Sequence, residues 1–141
     1  MPAIENLLEQ LEDAWQSGSP PALADYLARA QSLGMTPTPA DHREVLCELI
    51  RIDLEYRWRR PPTAASDFPS RPLLDDYLRQ FQDLGPTLPL DLIVDEYRVR
   101  MRWGDRASHA DYRSRFPELG NALNEALGRV DIELAAEPLR D

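Results

Sequence analysis

The sequence holds 141 residues, 43% hydrophobic and 29% charged, enough to bury a core beneath a solvated surface. Its net charge of −9 argues against nucleic acid or an anionic membrane as the main partner, because both call for a basic footprint. The single cysteine, Cys47, allows no internal disulfide. No signal-peptide pattern and no run of about 20 apolar residues is visible, so a cytoplasmic protein is expected.

Residues 3–17 carry Ile4, Leu7, Leu8, Leu11 and Trp15 at helical spacing, with Glu5, Glu9, Glu12 and Asp13 opposite, and Gly18 is placed to end that helix. A second helix is expected from about 20 to 33, with Ser19 as N-cap, Pro20 as first helical residue and Gly34 as stop. Residues 41–60 read as a long helix capped by Asp41, with Glu44 at capping-box distance. Within it Ile50, Ile52, Leu54, Tyr56 and Trp58 alternate with polar residues, which is strand period. Helix is preferred because Asp53 with Arg57, and Glu55 with Arg59, make acid-to-base pairs four apart. A fourth helix is expected at about 71–84 and a fifth at about 90–103, where Val99, Met101 and Trp103 pose the same ambiguity. A short one at 109–116 is capped by Ser108 with Asp111 at the box position, and a last one covers 118–136.

The acids and bases are unevenly spread. Residues 1–41 hold six acids and one Arg, residues 117–141 six acids and two Arg, and residues 42–116 thirteen of each sign. Every base is Arg, a bias that a GC-rich bacterial genome produces without functional cause.

The most specific signal is internal repetition. Pro21-Ala-Leu-Ala-Asp-Tyr-Leu-Ala-Arg-Ala-Gln-Ser-Leu-Gly34 and Pro72-Leu-Leu-Asp-Asp-Tyr-Leu-Arg-Gln-Phe-Gln-Asp-Leu-Gly85 are identical at eight of fourteen positions. A partial third copy runs from Asp111-Tyr112 through Phe116 to Leu119-Gly120. The common frame is Asp-Tyr, six residues, then Leu-Gly. It is anchored by Tyr26, Tyr77 and Tyr112, and Phe81 and Phe116 follow the tyrosine by four in two copies. On a helix, Tyr, Phe four later and Leu seven later share a face, the Asp suits the helix start, and the Gly suits a left-handed C-cap. The preceding long helices repeat too. Leu49-Ile50 and Asp53 through Tyr56-Arg57-Trp58-Arg59 match Leu92-Ile93 and Asp95-Glu96-Tyr97-Arg98-Val99-Arg100. The expected architecture is one all-α domain over 1–141, of about seven helices: three stacked helical hairpins (3–34, 41–85, 90–120) and a terminal helix.

Leu49-Ile-Arg-Ile-Asp-Leu-Glu-Tyr56-Arg-Trp-Arg-Arg60, followed by a loop and Asp-Tyr-Leu, resembles the N-terminal extension of planctomycete serine/threonine protein kinases. So do Asp111-Tyr112-Arg-Ser-Arg-Phe116-Pro117-Glu-Leu119 and Ala14-Trp15 with Asp25-Tyr26-Leu27. The resemblance covers most of residues 4–120. It implies a non-catalytic regulatory or interaction role beside a kinase domain. The 141 residues hold no Gly-rich loop, catalytic Lys, H-R-D or D-F-G, so the resemblance fits an excised kinase region or a stand-alone relative.

Candidate chemistry is sparse. His42, His109 and Cys47 are too few for a metal cluster of usual spacing, so neither metal nor cofactor is expected. Ser108, His109 and Asp111 have the residue types of a triad, but neighbours on one helical turn do not line up as one, and capping explains them better. Asp75-Asp76 and the acids of the first helix read as solvated faces. The Arg clusters (Arg57, Arg59 and Arg60; Arg98, Arg100, Arg102 and Arg106) sit at helix ends, where cations suit the dipole. They read either as salt-bridged ends or as a docking surface for an acidic or phosphorylated partner. Trp15, Trp58 and Trp103 fall late in long helices and suit packing. The function expected is a non-enzymatic regulatory domain that binds a protein, either its own kinase domain or a signalling partner. The alternative is a stand-alone, self-associating adaptor of death-like helical type.

Overall fold

Thr38-Pro39-Ala40-Asp41 starts the longest helix. The Thr38 hydroxyl accepts from the Asp41 amide at 3.1 Å and donates to the Asp41 carboxylate at 2.8 Å, while Pro39 occupies the first turn, where no amide is needed. Thr38 is therefore the cap, and the expectation that Asp41 fills that role is corrected by three residues.

The computed structural model describes residues 2–17, 21–59, 71–85, 88–104 and 107–137. Among them the chain is all-α, without a strand: α1 (Pro2–Gln16), α2 (Leu23–Ser32), α3 (Pro39–Arg59), α4 (Leu74–Gln80), α5 (Leu90–Trp103), α6 (His109–Arg115) and α7 (Gly120–Ala136). Two 3₁₀ turns, Gln82–Leu84 and Pro117–Leu119, complete the described elements. The 1–141 span packs as two compact units, Met1–Leu88 and Pro89–Asp141, and the division falls at the start of the third expected repeat unit.

In the first unit α3 is the central element, and both α1 and α2 pack on it. Leu7, Leu11 and Trp15 of α1, Leu23, Tyr26, Leu27 and Ala30 of α2, and Val45, Leu46, Leu49, Ile50, Leu54 and Trp58 of α3 are buried. Each such Leu or Ile contributes about 1.5–3 kcal/mol. The strand-like alternation of residues 50–58 is helical. Ile50, Leu54 and Trp58, four apart, are buried on one face of α3, while the intervening Ile52 and Tyr56 are half-buried.

A strap, residues 71–85, runs antiparallel along α3. Trp58 Nε1 donates to the Pro72 carbonyl at 2.7 Å, Tyr77 meets Asp53, and Arg43 Nε donates to the Leu84 carbonyl at 3.1 Å. The single helix expected at 71–84 is broken at Phe81 (φ −123°, ψ 90°), after which a 3₁₀ turn buries Leu84 completely. Gly85 is not left-handed (φ −87°); a Cβ there would lie 3.0 Å from Leu78 Cδ2, so the close approach favours Gly. Gly34 (φ 74°) and Gly120 (φ 54°) are left-handed. The second helix starts at Leu23 rather than 20, with Ala22 extended ahead of it. Gly18, Ser19 and Pro20 lie outside the described residues.

In the second unit α7 packs on both α5 and α6. Leu92, Ile93, Tyr97 and Val99 of α5, Tyr112 of α6, Phe116 and the α7 stripe Leu123, Leu127 and Val130 form its core. The Ser108 hydroxyl accepts from the Asp111 amide at 3.1 Å, the cap expected from sequence. Arg98 pairs with Glu133 at 2.7 Å, and Tyr97 donates to Asp131 at 2.5 Å, so α5 is fastened along α7.

Candidate functional site

Each unit buries one carboxylate on the apolar face of its long helix. On α3, Asp53 sits in the stripe of Leu46, Leu49, Ile50, Leu54 and Trp58 and is 1% exposed. One turn later, Arg57 Nε donates to Asp53 Oδ2 at 2.7 Å. The Tyr77 hydroxyl, carried by α4, donates to the same oxygen at 2.7 Å. Oδ1 is buried with no hydrogen-bond partner. Burial raises the Asp53 carboxyl above the ordinary carboxylate range against the opposing pull of Arg57 and Tyr77. Burial, then the adjoining Asp53 charge, pushes the Tyr77 phenol well up, so it remains a donor.

On α5 the counterpart is Glu96, fully buried. The Tyr112 hydroxyl of α6 donates to its Oε1. Arg115 forks onto both oxygens, at 2.5 and 3.1 Å. Arg100, one turn after Glu96, lies 4.0 Å from Oε1 and donates to the Tyr112 hydroxyl at 3.3 Å and to Asp111 at 3.4 Å. Tyr112 is raised, by burial first and Glu96 second.

Tyr26, Tyr77 and Tyr112 are all buried, but only the last two meet a carboxylate. The Tyr26 hydroxyl reaches the Gln10 carbonyl at 3.5 Å, and Arg29 lies over its ring. The frame's leucines also differ: Leu84 is fully buried, Leu119 is half-buried and Leu33 is 66% exposed. Tyr, Phe and Leu therefore do not share one buried face in every copy. Phe116 is buried and Phe81 half-buried.

These two buried locks, Asp53 with Arg57 and Tyr77 and Glu96 with Tyr112 and Arg115, correct the register of the long-helix repeat. Asp53 and Arg57 match Glu96 and Arg100 in environment, which is the same offset as Leu49-Ile50 on Leu92-Ile93. The alternative match of Tyr56-Arg57 on Tyr97-Arg98 pairs unlike surroundings. Tyr56 stacks on Trp15 at 5.8 Å, while Tyr97 is buried against Asp131.

Among the described residues the clustered arginines are engaged by carboxylates of their own chain. Arg57 binds Asp53, Arg59 binds Glu55, and Arg98 binds Asp95 and Glu133. Arg100 binds Asp111, and Arg102 binds Glu137. Arg57 also lies over Trp15, Arg59 over Tyr56 and Arg102 over Trp103. These side chains brace the helices and do not stand as a row of open cations. Arg60 and Arg106 lie outside the described residues.

The triad-like residues face apart: Ser108 caps α6, His109 Nε2 meets Asp131 at 2.8 Å, and Asp111 meets Arg100. Cys47 is buried, and burial raises its thiol. Among the described residues no group of three metal-ligating side chains converges, and no helix is long and apolar enough to cross a membrane. Of the large apolar side chains described, Leu33 and Ile132 (72%) are exposed.

The buried locks were missed by sequence reasoning, although a signal exists. Asp53 and Glu96 both fall on the apolar stripe of their helices, where an acid needs a partner. Family models, curated proteins and solved structures were each compared with the chain, and none matches.

Proposed function

We propose that this chain is a non-catalytic regulatory domain that binds a protein, acting as the N-terminal region of a bacterial serine/threonine kinase. One observation supports the reading above others. The groups with chemical potential (Asp53, Arg57 and Tyr77; Glu96, Arg100, Tyr112 and Arg115) are turned inward and engage one another as fasteners between helices. The outward faces are those of helices braced by ion pairs, which suits a scaffold for recognition. The sequence resemblance supplies the kinase as the associated partner.

The Arg-rich helix ends contribute little to recognition in this account, because carboxylates of the chain hold them. Helix faces and helix ends carry it, with exposed Leu33, at the end of α2, and Ile132, on α7, as the first positions to probe. The test is titration of the chain into the kinase catalytic domain encoded in the same reading frame or nearest to it. Saturable binding that weakens on Leu33→Ser or Ile132→Ser, with folding intact, supports the reading. Absence of binding to any kinase domain, with concentration-dependent self-assembly instead, replaces it with the adaptor reading.

A further inference from the structure

Two short segments built on one frame dock on two long helices of the same chain. Burial of their Tyr rings and leucines is non-directional, so apolar contact alone does not decide which segment takes which helix. The polar parts differ. At Asp53 the acid is short, one oxygen takes both Arg57 and Tyr77, and the residue three after the tyrosine is Gln80, which is exposed. At Glu96 the acid is longer, and the residue three after the tyrosine is Arg115, which grips both carboxylate oxygens.

We propose that the two locks are unlike keys that fix which short segment docks on which long helix, within one molecule and against a second copy of the chain. The strap 71–85 laid on α5 would bring Gln80 where Glu96 takes a bidentate guanidinium. The segment 107–119 laid on α3 would crowd Arg115 beside Arg57 for one short carboxylate. Either mismatch leaves buried charge poorly compensated, and that penalty rejects the wrong partner. Asp53 and Glu96 are positioning residues in this scheme. Buried ion pairs contribute little net stability against well-packed apolar replacements and are retained in some proteins for registry.

The test removes one key without removing its shape. Asp53→Leu with Arg57→Leu and Tyr77→Phe replaces the lock by apolar groups, and Asp53→Asn with Tyr77→Phe keeps close to the native volume. The readouts are the thermal midpoint, sedimentation velocity over a concentration series, and the amide resonances of residues 71–85. The expected result is a midpoint within a few degrees of the native chain. It is accompanied by a larger oligomer fraction than the native chain shows, or by more than one resonance set for the strap. A single resonance set and unchanged oligomeric state in either folded variant overturns the proposal. Loss of folding in both overturns it too, because the lock is then a stability element and not a selector.

Discussion

Tyr77→Phe removes one oxygen atom and leaves the ring in place. That oxygen donates at 2.7 Å to a carboxylate that is 1% exposed and whose other oxygen is buried without a hydrogen-bond partner. A hydrogen bond to a charged group contributes about 1.5–3 kcal/mol, and without the hydroxyl Oδ2 keeps only the bond from Arg57. The single variant should therefore lose roughly 2 kcal/mol at neutral pH, read as a lower urea midpoint at unchanged slope. Asp53→Leu alone should also destabilise, because Arg57 loses its acid. The double variant should lose much less than the sum, with a coupling of about 1.5–3 kcal/mol.

The pH dependence follows from linkage. Burial holds the folded-state pKa of Asp53 above its unfolded value. Its contribution to stability is thus fully present below the unfolded pKa and is lost as pH rises through the folded one. Tyr77 pulls that pKa down, so its loss raises it further, and the Tyr77→Phe penalty should shrink as pH falls into the acid range. Additive single effects, or a penalty that grows on acidification, would refute the reasoning.

Four other outcomes are expected. Glu96→Ala should cost about 3–5 kcal/mol, since it strands Arg115 and takes the nearby acid from Arg100, and the lost protection in hydrogen exchange should fall on α5, α6 and α7. Gly34→Ala should cost about 1 kcal/mol through its φ of 74° alone, because nothing lies within 4 Å of the added Cβ, and Gly34→Asn should recover part of it in thermal unfolding. Arg59→Glu should change stability by no more than about 1 kcal/mol, as an exposed pair does. Arg100→Glu places a second acid beside buried Glu96 and should unfold the second unit, as circular dichroism and hydrogen exchange would report.

Much of the helical layout was legible because local signals agreed with burial. α5 and α6 fall where periodicity and the Ser108 cap place them. Legibility failed where tertiary contact decided. The break at Phe81 serves the burial of Leu84 and its carbonyl's bond to Arg43, neither of which is a local feature. Gly85 reads like Gly34 in sequence, yet it answers to Leu78 rather than to backbone sign. Asp53 with Arg57 looks like an ordinary exposed pair four apart, and only its place among Leu49, Ile50 and Leu54 betrays the burial. The arginine clusters illustrate the same limit, because their partners Glu133, Glu137 and Asp111 come from elsewhere in the chain.

The regulatory role proposed above requires that the chain bind a kinase domain and change its activity. The direct measurement is the autophosphorylation rate of the serine/threonine kinase domain proposed as partner, with and without saturating chain, alongside calorimetric titration of the two. The account predicts saturable binding and a changed rate, both retained in Arg59→Glu and both reduced in a folded Leu33→Ser or Ile132→Ser variant. Unchanged rates together with no heat of binding would contradict it.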